Sequence, residues 1–289
     1  MKVITHIHEL QQSIQGVKKS GSSIGFVPTM GYLHEGHLNL VDEARKHNDT
    51  VVMSIFVNPL QFGPNEDFDR YPRDVERDTE LAKQAGVDIL FIPGAEEMYK
   101  RKLSVALQVY DRVDVLCGRK REGHFDGVVT VLTKLFHLTQ PDRAYFGLKD
   151  AQQVAVVEGL VSDYFFPVEI VRVPTVREED GLAKSSRNVH LSENERKEAP
   201  ALYASLVEAK RRIEEGERNP ESIIGMISTY INENTSGTID YVEVYSFPEL
   251  TELPRFQGEV IIAVAVQFQH ARLIDNIIIR VESEEDLHV

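Results

Sequence analysis

His34 and His37 stand three residues apart in the run Pro28-Thr29-Met30-Gly31-Tyr32-Leu33-His34-Glu35-Gly36-His37. The apolar run Ile24-Gly25-Phe26-Val27 before it reads as a buried strand, and Leu38-Asn39-Leu40-Val41-Asp42-Glu43-Ala44-Arg45 after it reads as a helix. Two imidazoles therefore sit where a strand turns into a helix, the place where open α/β sheets bind ligands. The first-turn N–H groups of a helix lack intrahelical acceptors, and with the positive end of the dipole they favour an anion. Imidazole N–H groups beside them donate to phosphate oxygens. Gly31 and Gly36 let backbone pass close to a ligand. This chemistry suits a nucleoside triphosphate. Two plainer readings stay open on these residues alone. A His-x-x-His pair is also half of a zinc site, although no Cys or acidic partner stands at usual ligand spacing. A histidine near a helix start also simply caps the helix or fills space.

Four further segments end strands or open helices. In Phe56-Val57-Asn58-Pro59-Leu60-Gln61-Phe62-Gly63, Asn58 and Gln61 carry amides that both donate and accept, which suits a hydroxy acid. Turn chemistry accounts for Asn58 but not for Gln61. In Tyr145-Phe146-Gly147-Leu148-Lys149-Asp150-Ala151-Gln152-Gln153, Lys149 is placed to meet a phosphate as a point charge. Asp150 is a good N-cap there, and Gln153 fits a capping box as well as it fits a substrate. In Asp180-Gly181-Leu182-Ala183-Lys184-Ser185-Ser186-Arg187-Asn188, two cations flank two hydroxyls after a glycine turn. Such a loop can close over a triphosphate and neutralise charge at the leaving group; a basic surface loop is the plain alternative. In Cys117-Gly118-Arg119-Lys120-Arg121-Glu122-Gly123-His124-Phe125, Arg119 or Arg121 suits a phosphate or carboxylate, whereas Lys120 reads equally as solvated.

Short apolar runs alternate with amphipathic stretches through the first two thirds of the chain. Strands are expected at 24–28, 50–57, 89–92, 104–109, 144–147 and 168–173, and helices at 7–19, 36–47, 74–85, 125–139 and 151–164. This alternation implies a parallel sheet covered on both faces. Beyond about residue 187 the pattern changes. Helices at 193–215 and 220–232 precede strands at 238–246, 259–267 and 272–281, the order of a separate α+β unit. Gln269-His270-Ala271 reads as a tight hairpin connection, and the acidic tail Glu282–Val289 as frayed. The fold class is thus α/β, a parallel-sheet domain over residues 1–186 followed by a smaller α+β domain over 187–289.

The 289 residues are 42 % hydrophobic and 27 % charged, an ordinary globular balance. With 32 Lys and Arg against 46 Asp and Glu the net charge is −14, which argues against nucleic acid as the main partner. An anionic substrate then needs a local basic patch. Cys117 is the one cysteine, so no intramolecular disulfide forms, as suits a reducing cytoplasm. No apolar run approaches the roughly 18 residues of a membrane span, and residues 1–12 lack the apolar core of a signal peptide.

Taken together and in order, Pro28-Thr29-Met30-Gly31 with His34-Glu35-Gly36-His37, then Phe56–Phe62, Phe146–Asp150 and Lys184–Asn188, resemble the pantothenate synthetase family. The resemblance runs from Ile24 to about Leu191. His-x-Gly-His alone indicates only the wider nucleotidyltransferase superfamily that includes class I aminoacyl-tRNA synthetases; the Asn58/Gln61 and Phe146–Asp150 segments narrow it. The resemblance implies a Rossmann-like first domain and condensation of pantoate with β-alanine, driven by cleavage of ATP to AMP and diphosphate with Mg²⁺, in a homodimer whose C-terminal domain lids the site. It implies that His34, His37, Lys149 and Arg187 are catalytic. It places Met30, His34, His37, Gly147, Lys149, Asp150, Val176, Lys184, Ser185, Ser186 and Arg187 at ATP, and Gln61, Gln153 and Asn58 at pantoate. It puts Arg121 near β-alanine or diphosphate, and leaves the metal ligands unassigned. Two positions depart from the family: Leu148 stands where many relatives carry an acid, and Lys184 where the position is often apolar. Two other readings remain, a nucleotidyltransferase that stops at the adenylylated product and a nucleotide-binding module without turnover.

Overall fold

The computed structural model describes residues 1–64, 66 and 68–282. The chain runs β1 (Lys2–Ile4), α1 (Ile7–Lys19), β2 (Ile24–Thr29), α2 (Glu35–His47), β3 (Thr50–Ile55), α3 (Val75–Gln84), β4 (Ile89–Phe91), α4 (Ala95–Met98), α5 (His124–Thr139), β5 (Arg143–Gly147), α6 (Ala151–Asp163) and β6 (Glu169–Val173). It continues with α7 (Glu193–Glu198), α8 (Ala201–Glu214), α9 (Pro220–Asn234), β7 (Thr238–Ser246), β8 (Gly258–Gln267) and β9 (Arg272–Val281). Two compact units result. Met1–Leu148 and Val156–Pro174 form the first, Lys149–Ala155 and the chain from Thr175 the second.

In the first unit six parallel strands lie in the order β1-β4-β3-β2-β5-β6. The central strands are buried on both faces, which is why β2 and β3 read as continuous apolar runs. Val27, Leu33, Val41, Met53, Leu90 and Tyr145 share one core between sheet and helices. From β2 the chain steps outward through β3 to β4, then returns to the other side of β2 as β5. The strand order therefore reverses between β2 and β5, and such a switch point opens a crevice at the carboxyl ends of the strands. The 28–37 segment leaves β2 there.

The second unit carries the antiparallel sheet β7-β8-β9. Its inner face packs with α8 and α9 through Leu202, Leu206, Ile223, Ile227, Ile262 and Val264. Both the parallel α/β sheet and the smaller α+β unit follow the sequence expectation.

Two local expectations need correction, and one strand is unexpected. Residues 104–109 form no strand: Val105 is 76 % exposed, and the Val109 N–H donates to Asp126 Oδ1 at 2.8 Å instead of to a neighbouring strand. The single helix expected over 193–215 is two, because the Pro200 ring cannot continue α7 and instead opens α8. A short edge strand, β1, escapes sequence patterning because three residues carry no period. The expected fraying of the acidic tail lies, from residue 283 on, outside the described residues.

Candidate active site

His34 is the N-cap of α2, in extended backbone, and its Nδ1 accepts from the Gly36 N–H at 3.1 Å. His37 returns the bond: its Nδ1 accepts from the His34 N–H at 3.4 Å. The two side chains make a capping box built from imidazoles, with ring centroids 4.0 Å apart. The geometry decides the tautomer. An Nδ1 that accepts a backbone N–H carries no proton, so each neutral ring holds its proton on Nε2 and donates from there. The cap also changes what the helix end offers. The Gly36 N–H goes to His34 and the His37 N–H to the His34 carbonyl at 2.8 Å. Imidazole edges and the helix dipole, more than bare first-turn N–H groups, are what α2 presents to an anion.

Gly36 makes this cap possible. A Cβ there would lie 2.9 Å from both Cε1 and Nδ1 of His34. The turn before His34 is held from α3. Gly31 and Tyr32 both take left-handed backbone, and the Asp78 carboxylate accepts from Tyr32 N–H at 2.6 Å and Leu33 N–H at 2.7 Å. Asp78 is 1 % exposed, and burial pushes its carboxyl above the ordinary aspartate range despite these two donors and the neighbouring Arg77. Sequence reading missed Asp78. A charged residue on the apolar face of α3 was the available signal.

Beyond β3, the turn Pro59–Gln61 is a 3-10 helix capped by Asn58. Asn58 is fully buried. Its Oδ1 accepts from Tyr99 O–H at 2.8 Å and Leu60 N–H at 3.3 Å, and its Nδ2 donates to the Gly127 carbonyl at 3.0 Å and to Gln61 Oε1 at 3.2 Å. Every hydrogen-bonding position of that amide is thus spent within the protein, and its effect is to orient Gln61. Gln61 Nε2 faces Met30 Sδ at 3.1 Å, joining the ends of β3 and β2. The turn rests on α5 at Gly127, where a Cβ would lie 2.4 Å from the Leu60 carbonyl oxygen.

Arg121 is held by a carboxylate of the protein itself. Its Nε and Nη2 donate to Glu66 Oε1 and Oε2 at 2.8 and 2.6 Å, and its Nη1 lies 3.0 Å from His124 Nε2. His124 Nδ1 stands 2.7 Å from the Gln61 carbonyl, so Nδ1 donates and Nε2 accepts from Arg121. Burial raises the Glu66 carboxyl, but the Arg121 contacts outweigh it and hold the group below its ordinary value. Arg121 and His124 thereby brace the Gln61 turn.

In the second unit Lys149 lies in the 3-10 turn Leu148–Asp150, directly after Gly147 ends β5, with its Nζ 3.9 Å from Asp150 Oδ2. Gln153 follows in the first turn of α6, partly buried. The basic loop is a hairpin-like excursion: the Lys184 N–H donates to the Val176 carbonyl at 2.9 Å, and Arg177 and Ala183 bridge. Lys184 Nζ pairs with Glu178 Oε2 at 3.1 Å. Ser185 caps the 3-10 turn Ser186–His190 by accepting from the Arg187 N–H at 3.3 Å. Ser186 is buried. Met30, His34, His37, Asn58 and Gln61 thus belong to the first unit, and Lys149, Asp150, Gln153, Val176 and Lys184–Arg187 to the second.

A sequence model described as pantoate-beta-alanine ligase matches residues 2–278. The chain is 64 % identical to a pantothenate synthetase of Geobacillus sp. (strain WCH70) over 96 % of its own length and 98 % of the relative's. It is 62 % identical to the enzyme of that name from Bacillus subtilis (strain 168), over 99 % of each chain. Among solved structures, pantothenate synthetase from Thermus thermophilus superposes with a TM-score of 0.90 at 46 % identity, covering 96 % of this chain and 99 % of that one. A pantoate-beta-alanine ligase from Francisella tularensis, complexed with beta-gamma ATP and beta-alanine, superposes with a TM-score of 0.78 at 32 % identity, covering 96 % and 97 %. Matches of this extent, over the same strand ends that carry the paired imidazoles and the amide turn, show that the chain belongs to the pantoate–β-alanine ligase family.

Proposed function

We propose that the chain carries out the family's reaction, ATP-dependent condensation of pantoate with β-alanine to pantothenate through a pantoyl adenylate, with the residues described above in the following roles. A carboxylate is a poor electrophile, so the acid is first activated. A pantoate carboxylate oxygen attacks the α-phosphorus of ATP; the bond to the bridging oxygen breaks and diphosphate leaves. Negative charge approaches negative charge in this step, so preorganised donors and cations dominate the rate. His34 and His37 donate Nε2–H to phosphate oxygens. Lys149 and Arg187 neutralise charge, with Ser185, Ser186 and Lys184 in the same loop. Met30, Gly147, Asp150 and Val176 line the nucleotide. Gln61 and Gln153 hold pantoate, and Asn58 serves it by fixing the Gln61 amide. In the second step the amine of β-alanine attacks the acyl carbon, AMP leaves, and the nitrogen gives up a proton. The adenylate has to be shielded from water for this to succeed.

Among the described residues no three His, Cys, Asp or Glu side chains gather into a metal site. Mg²⁺ is therefore assigned to the triphosphate it accompanies as substrate, in keeping with its preference for phosphate oxygens and water. Among the described residues no helix is long and apolar enough to cross a membrane. We assign the chain to the cytoplasm on its single cysteine, and to a homodimer on family membership; a monomeric mass by light scattering removes the latter.

The observation that carries these assignments is the reciprocal imidazole cap, which points both ring protons to Nε2 at the positive end of α2. The test is pantoate-dependent diphosphate release without β-alanine. His34→Ala and His37→Ala should each slow it by about 10² or more, the scale of losing a preorganised charge stabiliser. Near-normal release by either variant removes that residue from the role. Amide formation that requires β-alanine distinguishes this reaction from one that stops at the adenylate.

A further inference from the structure

Asp275 and Asn276 interrupt an otherwise apolar strand, β9, between Leu273-Ile274 and Ile277-Ile278-Ile279. They are 3 % and 7 % exposed. A carboxylate and an amide buried side by side cost free energy unless each is paired. Both are paired, and both to segments that carry cations. Asp275 grips Arg177 through two bonds, Oδ2 to Nη1 at 2.6 Å and Oδ1 to Nη2 at 2.9 Å. The same guanidinium donates to the Gly181 carbonyl at 3.1 Å and lies 3.5 Å from the centre of the Tyr203 ring. Arg177 bridges Ala183 across the loop, so this grip fixes the stem from which Lys184, Ser185, Ser186 and Arg187 emerge. Asn276 turns the other way and donates from Nδ2 to the Lys149 carbonyl at 3.0 Å. All of these groups lie in the second unit.

We propose that Asp275 and Asn276 are a positioning pair that sets the distance between Lys149 and the Lys184–Arg187 segment, and so matches two cationic groups to one triphosphate. Stability alone does not call for such a pair, since apolar residues of similar volume commonly replace a buried ion pair at no loss. Adjacent residues of one strand are a rigid ruler, and a rigid support is what a preorganised charge site requires. The proposal rests on the reading that Lys149 and the basic loop handle phosphate.

The experiment compares Asn276→Asp, Lys149→Ala and the double variant in pantoate-dependent exchange of diphosphate into ATP, with KM for ATP and β-alanine and the melting temperature measured alongside. Asn276→Asp keeps the shape and removes the donor but adds a charge beside Asp275, so Asn276→Leu, which removes the donor alone, is measured beside it. Each should raise the ATP KM or lower the exchange rate roughly ten-fold, the scale of one lost hydrogen bond to a buried carbonyl, while the β-alanine KM stays within about two-fold of wild type, well short of that change. Because the effect passes through Lys149, the double variant should exchange no more slowly than Lys149→Ala. If Asn276→Asp fails to fold, Arg177→Lys replaces it, keeping the charge but losing the two-pronged grip; the same ATP-specific loss is expected. A lowered melting temperature with wild-type ATP kinetics overturns the proposal, as do additive losses in the double variant. Impaired Lys149→Ala beside unimpaired Asn276→Asp overturns the pair alone. Wild-type exchange by Lys149→Ala overturns the phosphate reading and the pair with it.

Discussion

Gly127→Ala is the sharpest test of how the Gln61 turn, proposed to hold pantoate, is built. The new Cβ would stand 2.4 Å from the Leu60 carbonyl oxygen, 2.5 Å from its carbon and 2.6 Å from the Gln61 nitrogen. All three are backbone atoms, so no side chain can rotate away. A carbon and a carbonyl oxygen approach no closer than about 3.3 Å, so the turn has to retreat from α5 by roughly 1 Å. That movement stretches the Asn58 Nδ2 bond to the Gly127 carbonyl, 3.0 Å in the native turn, and turns the amide that orients Gln61. Overpacking of this kind costs about 1–3 kcal/mol of stability. A misplacement of about 1 Å at a substrate-positioning group costs on the order of 10²-fold in rate. The assay is pantoate-dependent AMP formation at saturating ATP and β-alanine, with folding followed by circular dichroism. We expect kcat/KM for pantoate to fall by about 10², with the ATP KM changed far less, because the role proposed for Gln61 is at pantoate. A folded variant with wild-type kcat/KM for pantoate refutes the argument that α5 sets Gln61.

Other perturbations follow from the same contacts. Gly36→Ala puts a methyl group against the His34 ring, breaks the reciprocal cap and should slow diphosphate release about as much as His34→Ala, roughly 10²-fold; release at the wild-type rate would show that the cap does not set the imidazole. Asp78→Asn keeps one acceptor and turns a donor toward the other N–H of the Tyr32–Leu33 turn, so chemical denaturation should report about 1–3 kcal/mol lower stability; an unchanged midpoint counts against the clamp. Glu66 has its folded pKa depressed by Arg121, so its contribution to stability is present above the ordinary glutamate value of 4.5 and is lost as pH falls through the lower folded value. Glu66→Gln should therefore flatten the acid limb of the stability–pH curve below about pH 4.5; parallel curves for variant and wild type would exclude the linkage.

Much of this site is written locally. The 28–37 segment shows its strand-to-helix turn because the apolar run before it and the amphipathic helix after it have different periods. The capping role of His34 is one of the readings its position leaves open, and it is satisfied within four residues, as helix caps are. The antiparallel strands β7, β8 and β9 follow their apolar runs almost residue for residue. Local signals also mislead. Residues 104–109 have strand composition, but strand propensity is realised only where a neighbour offers a ladder, and the Val109 N–H finds Asp126 instead. Pro200 is a local break easily passed over inside a charged helical stretch.

What only the tertiary structure decided is which distant groups share a bond. The sheet order β1-β4-β3-β2-β5-β6 brings the ends of β2 and β5 together, and no period in the chain encodes that reversal. Asp78 reaches back 45 residues to Leu33, Asn58 reaches 69 forward to Gly127, and Asn276 reaches 127 back to Lys149. Each is a polar side chain buried because a particular backbone group lies opposite it. Burial of a polar group is tolerable only with its partner in place, and that partner is set by packing between elements far apart in sequence. The sequence by itself determined the elements and the types of chemistry at their ends; tertiary packing determined which side chains, such as Asn58 and Arg121, bond to groups far off in the chain.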